Sequence, residues 1–241
     1  MNSIDNGQSY RPSARTRVRR VPQRARYDRA AVHAILDASL LCHVGYVVNG
    51  QPFVTPTAFW REGDTVFWHG SAASRMIESV DGAEVCVTVS HLDGLVLARS
   101  AFHHSVEYRS VMMFGRARVV ADLAEKRRAA AAFIDRLYPG RNAGIRAASD
   151  NELKATTFVA LDINEVVAKV RAGGVKDDLP DYFLPAWAGV IPFTTVAGAP
   201  IPDGCLRPQI QLPEHVGDYV GQRVDAVLLD NAVHLHERGS S

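Results

Sequence analysis

The sequence predicts a mainly β protein of the α+β class, an antiparallel barrel with helices at its periphery. Short segments rich in β-branched and aromatic residues follow one another with tight turns between them, as at Asn49-Gly50, where both residues tolerate the positive φ of a type I′ turn. Hairpin connections of this kind favour antiparallel pairing. No GxGxxG follows the first strand and no GxxxxGK[ST] occurs, so a doubly wound nucleotide-binding sheet is not expected.

The individual elements follow in order along the chain. Asp28 is the predicted N-cap of a first helix whose apolar residues lie on one face, and a short second helix begins at Arg75. A long amphipathic helix, capped by Asp122, ends at Pro139-Gly140. The predicted strands are 44–48, 53–60, 65–69, 84–90, 95–99, 111–120, 156–163 and 165–170.

The composition limits the kind of partner. A net charge of +1 over 241 residues gives no electrostatic reason to expect nucleic acid or an acidic membrane surface. Cys42, Cys86 and Cys205 are far apart and form no CxxC, which argues against a disulfide scaffold and a zinc site. We therefore expect the protein to be located in the reducing cytoplasm. No apolar run approaches the roughly 20 residues of a membrane span.

Changes in composition predict three regions. Residues 1–26 are polar and arginine-rich and are expected to form a flexible basic arm. Residues 27–172 carry the predicted strands and are expected to form the antiparallel barrel domain. Residues 173–241 are rich in proline and glycine and are expected to be an extended segment that wraps the barrel or a dimer.

A turn of small and hydroxyl-bearing residues follows the third predicted strand. Its sequence is GSAASR, and Ser71 and Ser74 can donate hydrogen bonds just before Arg75 begins a helix. Orphan N–H groups and the positive end of the helix dipole favour an anion at such a position. A simple N-cap by Ser71, with Arg75 in solvent, explains these residues equally well.

Histidines and serines raise two other possibilities. His69, His103 and His104 show no HxH or HxxxH spacing and no recognisable set of neighbouring acids, so no metal site is predicted. The serines near them lack a GxSxG elbow, which argues against a hydrolytic triad. A phosphate-bearing aromatic cofactor is a third possibility. The turn at Arg75 could hold its phosphate, and Trp68 or Trp187 could form the slot for its ring.

The order of the motifs resembles a known family. A PxxxPT segment, a strand ending in WHGSAASR, a VCVTVS strand and then YRSVMMFG are arranged as in the pyridoxamine 5′-phosphate oxidase-like flavoproteins, and more closely as in their branch with the Nim-type 5-nitroimidazole reductases. The resemblance covers about residues 20–170. It implies a split β-barrel that binds FMN at the interface of a homodimer.

The resemblance also implies roles for single residues. Arg75, with Ser74 beside it, would hold the FMN phosphate. Family members carry an Arg-Lys pair at this turn, so the second cation would have to come from Arg109 or from the second subunit. The other implied flavin contacts are Trp68 and His69, the backbone around Thr55, Thr57 and Ala58, and the side chains of Ser110 and Trp187.

We therefore expect an FMN-dependent oxidoreductase that reduces a small organic acceptor, nitro-aromatic or quinone-like, with NAD(P)H as a possible electron donor. His69, and His103 or His104, would donate a proton or position the acceptor. The RLHDR-like run that grips pyridoxal phosphate in the oxidases is absent, so oxidation of pyridoxamine phosphate is not expected.

Two alternatives stay open at this point. The chain could be a flavin- or haem-binding module without turnover. It could also be a deazaflavin-dependent reductase, which would need a basic groove built from Arg109, Arg116 and Arg118.

Overall fold

The computed structural model describes residues 8–238 of the chain. The helices are α1 (Arg29–Asp37), α2 (Arg75–Val80), α3 (Leu123–Leu137), α4 (Asp150–Ala155), α5 (Glu214–Gly217) and α6 (Val224–Arg238). The strands are β1 (Ala25–Arg26), β2 (Leu41–Val48), β3 (Gln51–Glu62), β4 (Thr65–Ser71), β5 (Glu84–Leu97), β6 (Ser105–Arg116), β7 (Arg118–Val119), β8 (Thr156–Asp162), β9 (Glu165–Arg171) and β10 (Gly189–Pro192).

The strands form one antiparallel sheet that curls into a barrel. Its order is β1-β9-β6-β5-β2-β3-β4-β8-β7, and β10 pairs with the far half of β5. The long strand β3 serves two neighbours in succession, because its first part pairs with β2 and its last four residues pair with β4. The predicted antiparallel split barrel with peripheral helices is confirmed.

The core divides into an inner and an outer cluster because alternate strand residues point to opposite faces. Valines, Met113 and Trp68 fill the inside of the barrel, and Trp68 is fully buried there. Trp60, Phe67 and Phe158 point outward and pack under α3. This alternation decides which side chains can share a site.

The barrel is open along one edge of β3. Residues 51–58 pair with β2 on one side, but pairing with β4 begins only at Phe59. The end of β4 turns away and pairs with β8 through His69 and Ser71. The turn before α2 therefore faces a free strand edge of β3, and this gap is the split of the barrel.

The far end of the barrel differs from the prediction. The two strands expected at 84–90 and 95–99 are one strand, β5, with an irregularity between Leu92 and Gly94. A Cβ at Gly94 would lie 2.7 Å from the carbonyl oxygen of Ile191, so the glycine allows β10 to approach. Residues 105–110, which precede the strand predicted at 111–120, also belong to a strand, since β6 begins at Ser105.

The two terminal regions pack on the barrel in specific ways. Tyr10 is 5% exposed and donates its hydroxyl hydrogen to Asp64, and Arg15 pairs with Glu84 at 3.1 Å. Within the region predicted to be a flexible arm, residues 8–26 thus make defined contacts, while residues 1–7 lie outside the described part. The C-terminal region is extended up to residue 213 but ends in α6, a helix that the proline and glycine pattern did not predict.

No helix within residues 8–238 combines the length and the apolar character that crossing a bilayer requires.

Candidate functional site

A concave site surrounds His69 on the outer face of β4. The register partner of His69 on β8 is Phe158, and the ring centroids of the two residues lie 5.8 Å apart. Phe133 of α3 approaches to 4.9 Å and Trp60 of β3 to 6.0 Å. His69 is thus the polar side chain at the centre of an aromatic cage.

The imidazole of His69 has an unused nitrogen. Its Nδ1 is buried and has no hydrogen-bond partner within residues 8–238. Burial lowers the pKa of His69, so the ring is neutral at neutral pH, and in either tautomer one nitrogen keeps a lone pair. A buried polar atom without a partner costs about 1–3 kcal/mol, so a bound group that engaged this ring would stabilise the site.

Small and apolar side chains create the space in front of His69. The cavity has a volume of about 360 Å³ and is open on one side, within the usual range of ligand pockets of about 300–1,000 Å³. Ala130 and Ala131 of α3 line it where larger residues would fill it. The other apolar walls are Phe133, Ile134, Ile145, Leu153 and Phe158.

The rim of the cavity carries its polar groups. Arg146 is the one basic side chain among the described residues that line it, and its side chain is 71% exposed. Its guanidinium donates to both carboxylate oxygens of Glu152, at 2.9 and 2.7 Å. The hydrogen bonds from Arg146 lower the pKa of Glu152 to about 2, so the pair is ionised. Asn142 also lines the cavity.

The turn predicted to bind phosphate lies at the split of the barrel. Arg75 is exposed, its guanidinium carbon lies 5.6 Å from the centroid of the Phe53 ring, and no ion pair holds it among residues 8–238. The free edge of β3 lies opposite, so the structure does bring Arg75, Ser71 and Ser74 close to the β3 residues predicted to contact the flavin. Ser71 accepts a hydrogen bond from the Ala73 N–H at 3.3 Å, and Ser74 makes no capping bond.

The β3 residues predicted at the flavin edge divide between two faces. Thr55 and Thr57 lie opposite the buried residues Val44 and Cys42 and face inward, and the Thr55 hydroxyl lies 3.2 Å from that of Tyr46. Ala58 lies on the outer face. One ligand can therefore contact Thr55, Thr57 and Ala58 together only through their backbone groups, which are the groups that the prediction named.

Trp68 and His69 cannot line the same ligand. They are consecutive on β4, so Trp68 points into the barrel, where it is fully buried, and His69 points outward under α3. The predicted pairing of these two side chains on a flavin is corrected accordingly, because strand alternation separates them.

Two further predicted residues, Arg109 and Ser110, lie on β6 opposite His91 and Ser90 in the middle of β5. Arg109 does not approach Arg75, since it is held by Asp93 at 2.8 Å and Asp225 at 3.3 Å. The hydrogen bonds that Arg109 donates to Asp93 raise the pKa of Arg109. Ser110 is its neighbour on β6 and lies 3.5 Å from the carbonyl oxygen of Lys169. Arg109 therefore cannot supply the missing cation within one chain.

Trp187, His103 and His104 lie at the far end of β5. Trp187 is 69% exposed and packs over Gly189, which pairs with Leu97. His103 lies 3.3 Å from Asp178, and His104 bonds to the Ser100 carbonyl oxygen at 2.9 Å.

Leu97, next to this group, is nine residues along β5 from Thr88, or about 30 Å at 3.3 Å per residue. Phe53, beside Arg75, lies on the other side of the His43–Thr88 pair. Within one chain, the predicted flavin residues Arg75 and Trp187 are thus widely separated.

The three predicted histidines do not converge. His69 lies under α3, whereas His103 and His104 lie in the turn between β5 and β6. No cluster of three or more histidine, cysteine or carboxylate side chains suited to a metal ion occurs within residues 8–238.

The basic groove that a deazaflavin reductase would need is neutralised in this chain. Arg116 lies 3.5 Å from Glu84, and Arg118 lies 3.1 Å from Glu125. Arg109, the third member, is held by two carboxylates.

Sequence reasoning missed most of the His69 cavity. Ala130 and Ala131 create the space over the imidazole, but the run Ala129 to Ala132 is also what helix propensity alone favours. The available signal was a run of alanines on a helix whose remaining apolar positions are large. Arg146 lies in a loop with no motif that would indicate a ligand.

An antiparallel split barrel with a helical layer over one sheet defines the class of this protein. The chain matches the family model described as pyridoxamine 5′-phosphate oxidase over residues 28–170. The chain belongs to this family. A search of curated proteins gave no match.

Solved structures show the same likeness. The flavocytochrome Anf3 of Azotobacter vinelandii is 46% identical, with a TM-score of 0.84 over 87% of this chain and 98% of that one. The FAD- and haem-binding protein of Mycobacterium smegmatis is 36% identical, with a TM-score of 0.80 over 83% and 98% of the two chains. A 5-nitroimidazole antibiotic resistance protein of Bacteroides thetaiotaomicron is 26% identical, with a TM-score of 0.51 over 61% and 86%. The predicted resemblance to this family is confirmed.

Proposed function

We propose that this protein is a redox protein that binds both a flavin and a haem, with His69 as a haem ligand. The observation that carries the proposal is the neutral, buried imidazole of His69, which has no partner for Nδ1 and faces an apolar cavity. Two relatives at 46% and 36% identity are named as a flavocytochrome and as an FAD- and haem-binding protein, which supports it.

The residues around His69 fit a haem. Neutral imidazole is a common axial ligand of haem iron, and aromatic and aliphatic walls suit the macrocycle. Haem carries two carboxylates, and Arg146 at the rim would hold one of them through charge-assisted hydrogen bonds by exchanging its ion pair with Glu152. When bound, the haem would supply one-electron chemistry next to the two-electron chemistry of a flavin.

The flavin belongs at the split of the barrel in this proposal. Arg75 is an exposed cation beside the free edge of β3, so it can hold a phosphate while unpaired backbone groups meet the ring. We propose FAD in place of the predicted FMN, since the relative at 36% identity is named for FAD.

A second copy of the chain completes the flavin site in this proposal. Arg75 lies beside Phe53 at one end of the sheet, while Trp187 lies beside Leu97 at the other, so no single flavin can contact both within one chain. Two copies in antiparallel arrangement would place the ends together. The outer sheet face, defined here by Leu41, Val47, Val54 and Met112, is exposed and apolar, which supports such pairing.

The absorbance spectrum tests the haem assignment. Purified protein reconstituted with haem is expected to show a Soret band that His69→Ala loses and His104→Ala retains, because His104 lies in an exposed turn. An unchanged Soret band in His69→Ala would contradict the ligand assignment. A wild-type protein that binds no haem would contradict the haem proposal as a whole. The mass of the flavin released by denaturation distinguishes FAD from FMN.

The substrate side of the proposal keeps the sequence prediction. A small organic acceptor, nitro-aromatic or quinone-like, would be reduced with electrons from NAD(P)H. Anaerobic bleaching of the flavin bands by NADH or NADPH, followed by recovery on addition of menadione, tests both parts.

Cys42, Cys86 and Cys205 form no disulfide, which supports the proposed cytoplasmic location.

A further inference from the structure

The C-terminal arm, defined here as residues 179–212, exposes an unusual amount of apolar surface. Among residues 8–238, 12 of the 23 exposed large hydrophobic side chains lie in these 34 residues. Ile201 is 94% exposed, Phe183 90% and Trp187 69%. Exposed apolar surface of this kind often marks an interaction site.

The first half of the arm is attached to the barrel through β10, whereas its second half is exposed. Before it begins, Asp177 accepts hydrogen bonds from the backbone and the side chain of Arg99. In the middle of the arm, the N–H of Ala197 donates to the carbonyl oxygen of Gln222 at 3.0 Å, and the N–H of Gly221 donates to the carbonyl oxygen of Ala197 at 2.9 Å. Residues 198–220 therefore form a long loop with closed ends, a form that is usually functional.

The arm is also stiff and almost uncharged. Six prolines interrupt it, and its charged residues are Asp181, Asp203 and Arg207. Proline fixes φ and lowers the conformational entropy lost on binding. With so few charges, the arm suits an apolar protein surface and not an electrostatic partner such as nucleic acid.

We propose that the C-terminal arm of one copy clasps the outer sheet face of a second copy. Each chain carries both an exposed apolar arm and an exposed apolar face, on which Val54 is 68% and Val47 60% exposed. In a two-fold dimer, each arm would cover the other chain's face, and the two contacts would be equivalent. This inference rests on the dimer proposed above but adds the element that holds it together.

The size of the arm is sufficient for this role. A buried aromatic side chain removes about 150–250 Å² from water, and the arm exposes four of them: Tyr182, Phe183, Trp187 and Phe193. Together with the aliphatic residues they reach the roughly 800 Å² per partner of a standard interface.

The test is sedimentation of the full-length, cofactor-loaded protein over a range of concentrations. The arm variant Ile201→Ser/Ile210→Ser and the face variant Val47→Ser/Val54→Ser are each expected to raise the dimer dissociation constant at least about tenfold. Val233→Ser, on the exposed side of α6, is the matched control and is expected to leave it unchanged.

Mixing the two variants shows whether the contact lies between copies. A mixed dimer retains one intact contact, between the wild-type arm of the face variant and the wild-type face of the arm variant. The mixture should therefore dimerise more tightly than either variant alone. If it is as weak as its parents, the arm folds back on its own chain and the proposal is wrong. A dimer dissociation constant that stays at the wild-type value in both the arm variant and the face variant would also overturn it.

Hydrogen exchange of the wild-type protein provides a measurement that needs no variant. Amides of residues 198–213 should be protected at concentrations where the protein is dimeric and should exchange faster on dilution. Concentration-independent exchange would overturn the clasp. Haem and flavin absorbance of the same samples separates the two proposals. A dimer without cofactor refutes the proposed function alone, whereas a monomer that binds haem refutes the dimer and its clasp and leaves the haem assignment standing.

Discussion

The buried ion pair between Asp37 and Arg61 allows a quantitative prediction of stability. The Asp37 residue at the end of α1 is 5% exposed and Arg61 of β3 is 7% exposed, with Nε–Oδ1 at 3.0 Å and Nη2–Oδ2 at 2.5 Å. Arg136 of α3 is also buried, and it donates to the backbone carbonyls of Asp37 and Leu228. One carboxylate therefore compensates two buried guanidinium groups that join α1, β3, α3 and α6.

Removing this carboxylate should cost much of the net stability. In Asp37→Ala, Arg61 becomes a buried cation without its carboxylate partner and Arg136 loses a neutralising neighbour, a situation that typically costs about 3–5 kcal/mol. A domain of this kind has roughly 5–15 kcal/mol in total. With a urea m-value near 3 kcal/mol/M, the unfolding midpoint should fall by roughly 1–1.7 M.

Urea denaturation followed by circular dichroism measures this effect. The control is Asp150→Ala, whose partner Arg127 is exposed, and its cost should stay at about 0–1 kcal/mol. The double variant Asp37→Leu/Arg61→Met should be more stable than Asp37→Ala, because it leaves no unpaired charge at this pair. If the free energy of unfolding of Asp37→Ala lies within 1 kcal/mol of that of the control, solvent reaches this pair and the reasoning fails.

Three further predictions concern the cofactor sites and acid stability. Arg75→Ala should weaken flavin binding by roughly 1.5–3 kcal/mol, about 10- to 100-fold, measured by fluorescence titration, whereas Lys154→Ala should leave it unchanged, and retention at wild-type affinity would refute the phosphate assignment. Ala131→Leu should fill the His69 cavity and abolish haem binding with little change in melting temperature, while Ala129→Leu, at a buried position of the same helix, should destabilise the fold by about 1–3 kcal/mol; full haem occupancy in Ala131→Leu would place the haem elsewhere. Burial lowers the pKa of His33, so the folded state disfavours its protonated form and stability is lost as the pH falls below about 6.5. In His33→Gln, the free energy of unfolding should therefore change less between pH 7 and pH 5 than in the wild type. An unchanged slope of the free energy of unfolding against pH would exclude His33 as the cause.

Local chemistry allowed most of the barrel to be read in advance. Asn49 and Gly50 do adopt positive φ between β2 and β3, and Asp28 and Asp122 do cap α1 and α3 through the predicted side-chain bonds. These features depend on a few consecutive residues, so the sequence contains them completely. Helix α6 was missed because the frequent prolines and glycines upstream of it dominated the interpretation of the whole region.

The site required information about faces and ends that no local pattern provides. Trp68 and His69 are neighbours in sequence, but the pleat of β4 places one in the core and the other in a cavity. Arg75 and Arg109 are both cations suited to a phosphate, but the length of the sheet separates them, and Asp93 and Asp225 already hold Arg109.

The sequence by itself thus determined the antiparallel barrel, its family and the small-residue turn that ends at Arg75. These depend on strand alternation, turn residues and motif order, which are written along the chain. Only the tertiary structure decided that His69 faces an apolar cavity and that the arm and the outer sheet face are both exposed. Such features arise where segments distant in sequence meet, or where no segment of the same chain covers them.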